Sequence, residues 1–143
     1  MECITNIVVR YAETDRMGIV HHSVYPIWFE AARTNYIKMI DVSYSAIEKL
    51  GIMMPLTGLE CKFHSTCTYE DEVKIFVTTT RLTPARMEFY YKVFLKGKII
   101  TEGITKHAWV DAKTFRPINA QKRIPLIYKR MQEAMTDPKI QEF

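Results

Sequence analysis

The hydrophobic period of this chain changes once, and that change limits what it can fold into. Between about Val24 and Ile40, apolar residues return at helical spacing: Trp28, Ala31, Ala32, Tyr36, Met39 and Ile40. After Gly51 the period is two. Val73, Ile75 and Val77 alternate with Lys74 and Thr78, and Met87, Phe89, Tyr91, Val93 and Leu95 alternate with Glu88, Lys92 and Lys96. These late strands follow one another with no helix between them. The chain is therefore expected to be α+β rather than α/β, with one long helix wrapped by a curved antiparallel sheet.

The element order reads β-α-α-β-β-β-β-α within a single domain of 143 residues. A first strand is expected over Ile4–Tyr11, with Thr5, Ile7, Val9 and Tyr11 on one face. Ser23 is the expected N-cap of the long helix, and Pro26 is tolerable in its first turn. Glu30, Arg33, Thr34 and Lys38 mark its polar side. A short helix from Tyr44 to Leu50 stops at Gly51. Strands are expected within 54–65 (regular from Gly58), over 73–82, 86–96 and 99–111, with a tight turn at Lys96-Gly97-Lys98. Residues 116–124 read as loop. Pro125 then opens a last helix that stops before Pro138.

Composition removes several functions. A net charge of +4 and a pI near 8.9 are too mild, and the charges too dispersed, for nucleic acid. They fit a polyanionic small molecule better. Three cysteines, Cys3, Cys61 and Cys67, form no CxxC pair. On one strand Cys61 and Cys67 would stand roughly 20 Å apart, too far to bridge. A reducing, cytoplasmic location is the expectation. No signal peptide and no membrane span are evident. His64 and His107 fall on strands without metal-ligand spacing, so no metal site is expected. There is no Gly-x-Ser-x-Gly elbow and no nucleotide-binding Gly-rich loop.

Chemistry concentrates between Tyr11 and Tyr25. The run Tyr11-Ala12-Glu13-Thr14-Asp15-Arg16-Met17-Gly18-Ile19-Val20-His21-His22-Ser23-Val24-Tyr25 leads from a strand through a turn to a helix start. Taken alone, Asp15 is a turn residue or helix cap. However, Met17, Ile19 and Val20 make the loop too apolar to be merely solvated. It is expected to pack inward and carry Asp15 to a cleft edge. Unpaired backbone N–H groups at the helix start can polarise a carbonyl. A carboxylate facing a polarised carbonyl can split an activated acyl group. His22 offers a backbone N–H and an imidazole that can orient water. His21 should point the opposite way. Tyr11 and Tyr25 read as packing residues whose hydroxyls can still reach the site, and Gly18 permits the turn. Among the basic residues Arg86, after Pro84-Ala85, is the first candidate for a phosphate contact.

The pattern Tyr11-x-x-Thr14-Asp15-x-x-Gly18-Ile19-Val20-x-His22-x-x-Tyr25, followed by Phe29-Glu30-Ala31-Ala32-Arg33-Thr34, resembles the hotdog-fold acyl-CoA thioesterases. It looks most like the 4-hydroxybenzoyl-CoA thioesterase family, including its Tol–Pal-associated bacterial members. The resemblance covers nearly the whole chain. It implies a five-stranded hotdog sheet and thioester hydrolysis without metal or redox cofactor. Asp15 would be nucleophile or general base, the His22 N–H would polarise the carbonyl, and Tyr11 and His22 would assist. It also implies CoA at a subunit interface of a homodimer or homotetramer. Arg16 and Met17 replace residues that are usually small, Val24 stands where Asn is common, and Asn35 stands where Glu is frequent. Two alternatives stay open: an acyl-thioester dehydratase or hydratase on the same fold, and a non-catalytic acyl-CoA-binding protein.

Overall fold

The computed structural model describes residues 3–136. Its strands are β1 (Ile4–Val8), β2 (Ile52–Met53), β3 (Leu56–Phe63), β4 (Glu72–Leu82), β5 (Arg86–Leu95), β6 (Lys98–Ala108) and β7 (Val110–Asp111). Its helices are α1 (Tyr25–Met39), α2 (Tyr44–Lys49), α3 (Ala120–Arg123) and α4 (Pro125–Thr136). Short 3-10 turns occupy Tyr11–Glu13 and His22–Val24. Five strands form one antiparallel sheet in the order β1-β4-β5-β6-β3, and β2 pairs separately with β7. This is the hotdog architecture.

The two-residue period decides which face is buried. Val73, Ile75, Val77 and Thr79 of β4 and Met87, Phe89, Tyr91 and Val93 of β5 all turn inward. α1 lies on that face, burying Trp28, Phe29, Ala32, Tyr36 and Ile37. One contact fixes its approach. The Phe29 ring stacks on Tyr91, centroids 4.4 Å apart, and sits directly over Gly103 of β6. A Cβ at position 103 would come within 2.3 Å of the ring. Between β5 and β6, Lys96 (φ 50°) and Gly97 (φ 77°) form the two-residue loop, matching the right-handed twist of the paired strands.

A polar chain crosses this apolar layer. The carbonyl oxygen of Met54 can only accept, so His107 Nδ1, 3.1 Å away, carries the proton. His107 Nε2 then accepts from Thr105 Oγ1 at 3.0 Å, Thr105 accepts from the Tyr91 hydroxyl at 2.7 Å, and Tyr91 accepts from Arg33 Nη1 at 3.4 Å. Each member has one consistent direction. Arg33 thus leaves the polar helix side assigned from the sequence and turns toward the sheet.

Several boundaries differ from the sequence reading. β1 stops at Val8, so Tyr11 belongs to a 3-10 turn rather than a strand face. The cause is local: the Glu13 carboxylate takes the Arg10 N–H at 2.8 Å and bends the chain. The long last strand divides at Trp109: the Ala108 N–H makes the last bond to the β3 side, at Pro55, and beyond it β7 pairs with β2. Inside the expected loop Asn119 caps α3, accepting the Lys122 N–H at 3.0 Å. Cys67 lies in the loop after β3, not on the strand with Cys61, and no disulfide forms among the three cysteines. The stop before Pro138 lies outside the described residues.

Two outcomes follow. Gly103→Ala forces a methyl against the Phe29 ring and should cost about 1–3 kcal/mol of stability in urea denaturation; an unchanged midpoint would contradict the packing. His107 is 3% exposed, and burial lowers its pKa to about 4, with the Met54 carbonyl opposing and the Arg33 charge assisting. Its neutral form is therefore favoured by folding. That stability is fully present above the unfolded value near 6.5 and is lost as pH falls toward 4. Stability should drop by about 2 kcal/mol between pH 7 and pH 5. In His107→Asn that pH-dependent part of the loss should be absent when midpoints at the two pH values are compared.

Candidate active site

The loop between β1 and α1 is a miniature hairpin. Asp15 N–H bonds the Ile19 carbonyl at 2.8 Å, Gly18 N–H bonds the Asp15 carbonyl at 3.0 Å, and Thr14 bridges to Val20. The turn needs a left-handed residue, and Gly18 supplies it with φ 81° and open space around it. Asp15 Oδ1 accepts the Met17 N–H at 2.8 Å, which sets the carboxylate's orientation. Among the described residues, no protein donor takes Oδ2.

Two anchors hold this hairpin against the body of the fold. The first is Glu13, a carboxylate only 6% exposed. It accepts the Trp28 indole N–H at 2.8 Å and the Arg10 amide, while its own carbonyl takes the His21 N–H at 3.0 Å. Burial pushes its pKa up, but the Arg10 and Trp28 donors outweigh that and hold the carboxyl below its usual range. The second is the loop after β3. Thr68 donates its hydroxyl to the Gly18 carbonyl at 2.6 Å, and the Cys67 carbonyl accepts the Val20 N–H at 2.9 Å. Neither anchor was legible in the sequence. Glu13 looks like a solvated loop residue, and only its distance of fifteen residues from Trp28, closed by folding, makes it structural.

The helix start differs from the expected cap. Ser23 does not cap α1; its hydroxyl lies 2.7 Å from His21 Nδ1. His21 is the capping side chain of the His22–Val24 turn, with Nδ1 accepting the Ser23 N–H at 3.2 Å. That leaves the His22 N–H, first in the turn, with no acceptor among the described residues. His21 and His22 do not point apart. Their rings lie side by side, centroids 4.1 Å apart, because the 3-10 turn replaces extended backbone. Along the hairpin His22 falls about three residues from Asp15, roughly 10 Å of strand.

The remaining candidates separate. Tyr11 is 76% exposed and packs edge-on against Tyr69, centroids 5.7 Å apart, beside the hairpin base. Tyr25 is core: it is 2% exposed, set between Trp28 and Phe63, with its hydroxyl 3.6 Å from Cys67 Sγ. It does not line an open site. Arg86 starts β5 at the β4–β5 hairpin, while the Asp15 loop meets the opposite end of β4 at Asp71. Eleven strand residues, about 30 Å or more, separate them, so one subunit does not bring Arg86 to Asp15. Among the described residues no group of His, Cys, Asp and Glu could hold a metal ion.

The model of the "Thioesterase-like superfamily" matches residues 9–135. YneP of Bacillus subtilis, provisionally named an acyl-CoA thioesterase, is 31% identical over 120 residues, covering 83% of this chain and 87% of that protein. Among solved structures, a DHNA-CoA thioesterase from Staphylococcus aureus superposes with a TM-score of 0.88 at 34% identity, covering 91% of this chain and 88% of the other. A hypothetical protein from Thermus thermophilus superposes with a TM-score of 0.83 at 32% identity, covering 91% and 97%. With the hotdog sheet, the Asp15 hairpin and the matched span all in one chain, the protein belongs to the thioesterase-like superfamily.

Proposed function

We propose that the protein hydrolyses acyl-CoA thioesters to a free acid and CoA, and that Asp15 carries the reaction. The observation behind this reading is an oriented carboxylate on the Thr14–Val20 hairpin followed, in the next turn of the chain, by an unbonded His22 N–H. The thioester carbonyl oxygen accepts the His22 N–H, and Asp15 approaches the carbonyl carbon from the other side. As general base, Asp15 takes a proton from water while the hydroxide adds to the carbon. The C–S bond then breaks, and that proton goes to the CoA thiolate. As nucleophile, Asp15 instead forms a mixed anhydride that water opens, giving the same products. The amide gains strength as charge builds on the oxygen, and one such donor is worth about 100- to 1,000-fold in rate. No metal or redox cofactor enters either route.

The relatives' names support thioester hydrolysis and fit the resemblance to the 4-hydroxybenzoyl-CoA and Tol–Pal-associated group. Tyr11 and the His22 imidazole stand beside the hairpin as assisting groups, and Gly18 shapes its turn. Three cysteines without a disulfide fit a reducing, cytoplasmic location.

The functional unit is a homodimer or homotetramer. β3 is an edge strand that exposes Leu56, Leu59 and Phe63 at 47%, 44% and 49%. An apolar edge of eight residues is a template for pairing with a second copy. Pairing there also gives Arg86 of a neighbouring subunit a route to the CoA phosphates that one subunit lacks.

Asp15→Asn preserves the acceptor for the Met17 N–H, so the fold should hold while the basic or nucleophilic oxygen is lost. Thiol release from a panel of acyl-CoA esters should fall at least about 100-fold. Turnover near wild type would overturn the assignment. Sedimentation at micromolar concentration should show a dimer or larger species, and a stable monomer would refute the assembly.

A further inference from the structure

Arg33 is a partly buried cation that makes no salt bridge among the described residues. It lies on α1 two turns beyond the helix start, partly buried against the sheet. Its guanidinium carries five N–H donors; one makes the 3.4 Å contact to Tyr91, and the Tyr44 hydroxyl lies beside it. No carboxylate closes a salt bridge with it among the described residues; Glu30, one turn earlier, attracts it from farther away. The Tyr91 oxygen is committed by the chain through Thr105 and His107, so Arg33 is held in place rather than neutralised. The buried Tyr44 hydroxyl lies close to the guanidinium and makes no other hydrogen bond among the described residues. A partly desolvated cation with spare donors and no close counter-charge favours an incoming anion.

Arg33 also lines a cleft. Pro26, Ile27, Glu30, Arg33, Leu56, Leu59 and Thr105 enclose about 260 Å³ between α1 and β3. Pro26 and Ile27 belong to the first turn of α1, immediately after the His22 amide. From Pro26 to Arg33 the helix rises about 10 Å, and the long Arg33 side chain leans back toward the helix start. The cleft walls are apolar at Ile27, Leu56 and Leu59, and Arg33 brings a cation to their edge. A groove of this size, open to solvent along one side, suits a short acyl chain.

We infer that this cleft binds the acyl part of the substrate and that Arg33 pairs there with a carboxylate at the end remote from the thioester, so the preferred substrates are short dicarboxylic acids carried as their mono-CoA esters. The inference rests on the thioesterase reading. The apolar walls hold the methylenes, and the guanidinium takes the carboxylate through two parallel N–H donors. Glu30 at the same cleft repels that carboxylate unless it seats fully on Arg33, which sets a minimum acyl length.

The experiment is thiol release from adipyl-CoA and hexanoyl-CoA, equal in carbon count, by wild type, Arg33→Gln and Arg33→Lys. Thermal unfolding of each variant checks that it is folded. Wild type should favour adipyl-CoA by at least tenfold in kcat/KM. Arg33→Gln should abolish that preference by losing adipyl turnover alone, and Arg33→Lys should restore part of it. Calorimetry should also show free adipate binding to Asp15→Asn but not to the double variant with Arg33→Gln. Hydrolysis of hexanoyl-CoA with no preference for adipyl-CoA overturns the Arg33 inference and leaves the thioesterase reading standing. So does an equal loss on both esters in a folded Arg33→Gln, which makes Arg33 structural. No hydrolysis of any ester by wild type overturns the thioesterase reading itself, whereas adipate binding reports on the cleft independently.

Discussion

The close approach of α1 to the sheet at Phe29 and Gly103 governs everything else in this fold. A helix packs on a sheet at a distance set by its largest facing side chain. Here an aromatic ring needs to lie flat on Tyr91, and only a residue without a Cβ beneath it permits that. Once Phe29 is seated, Trp28 is rotated toward the loop, where its indole meets Glu13. The helix start is placed by the same contact. The hairpin bearing Asp15 therefore inherits its position from an apolar stacking arrangement four residues inside α1.

Rigidity at the site comes from hydrogen bonds rather than from bulk. The hairpin from Thr14 to Val20 is too short to hold itself against solvent. Glu13 fastens one arm to α1, and Thr68 and Cys67 fasten the other to the loop that leads into β4. Burying Glu13 costs desolvation, and three protein donors offset it. The neighbouring carboxylates thus divide their work. Glu13 is enclosed and spent on structure, while Asp15 has one oxygen fixed by a backbone amide and the other without a protein donor.

The chain from Arg33 to Met54 follows the same economy on the other side of α1. A histidine in the core is tolerable when each ring nitrogen has one partner of the right kind, and His107 has both. The result is a fixed guanidinium at the edge of an apolar cleft beside β3. That strand is also the exposed apolar edge of the sheet, so the cleft, the helix start and the surface available to a second subunit adjoin one another.

Local pattern alone determined the element types. Alternation over Met87–Leu95 made β5, the helical spacing of Trp28, Ala32 and Tyr36 made α1, and Lys96-Gly97 made the hairpin, because each depends on neighbours a few residues apart. The same local reasoning marked Asp15, Gly18 and His22, since their turn chemistry is written in consecutive residues. Contacts between distant segments decided the rest. Tyr11 left its strand because Glu13 captured a backbone amide, Tyr25 became core because Phe63 and Cys67 closed over it, and Arg33 turned inward because Tyr91 arrived from fifty-eight residues away. Arg86 was placed at the far end of the sheet by strand register. A side chain's direction follows from what packs against it, and periodicity names the face but not the partner.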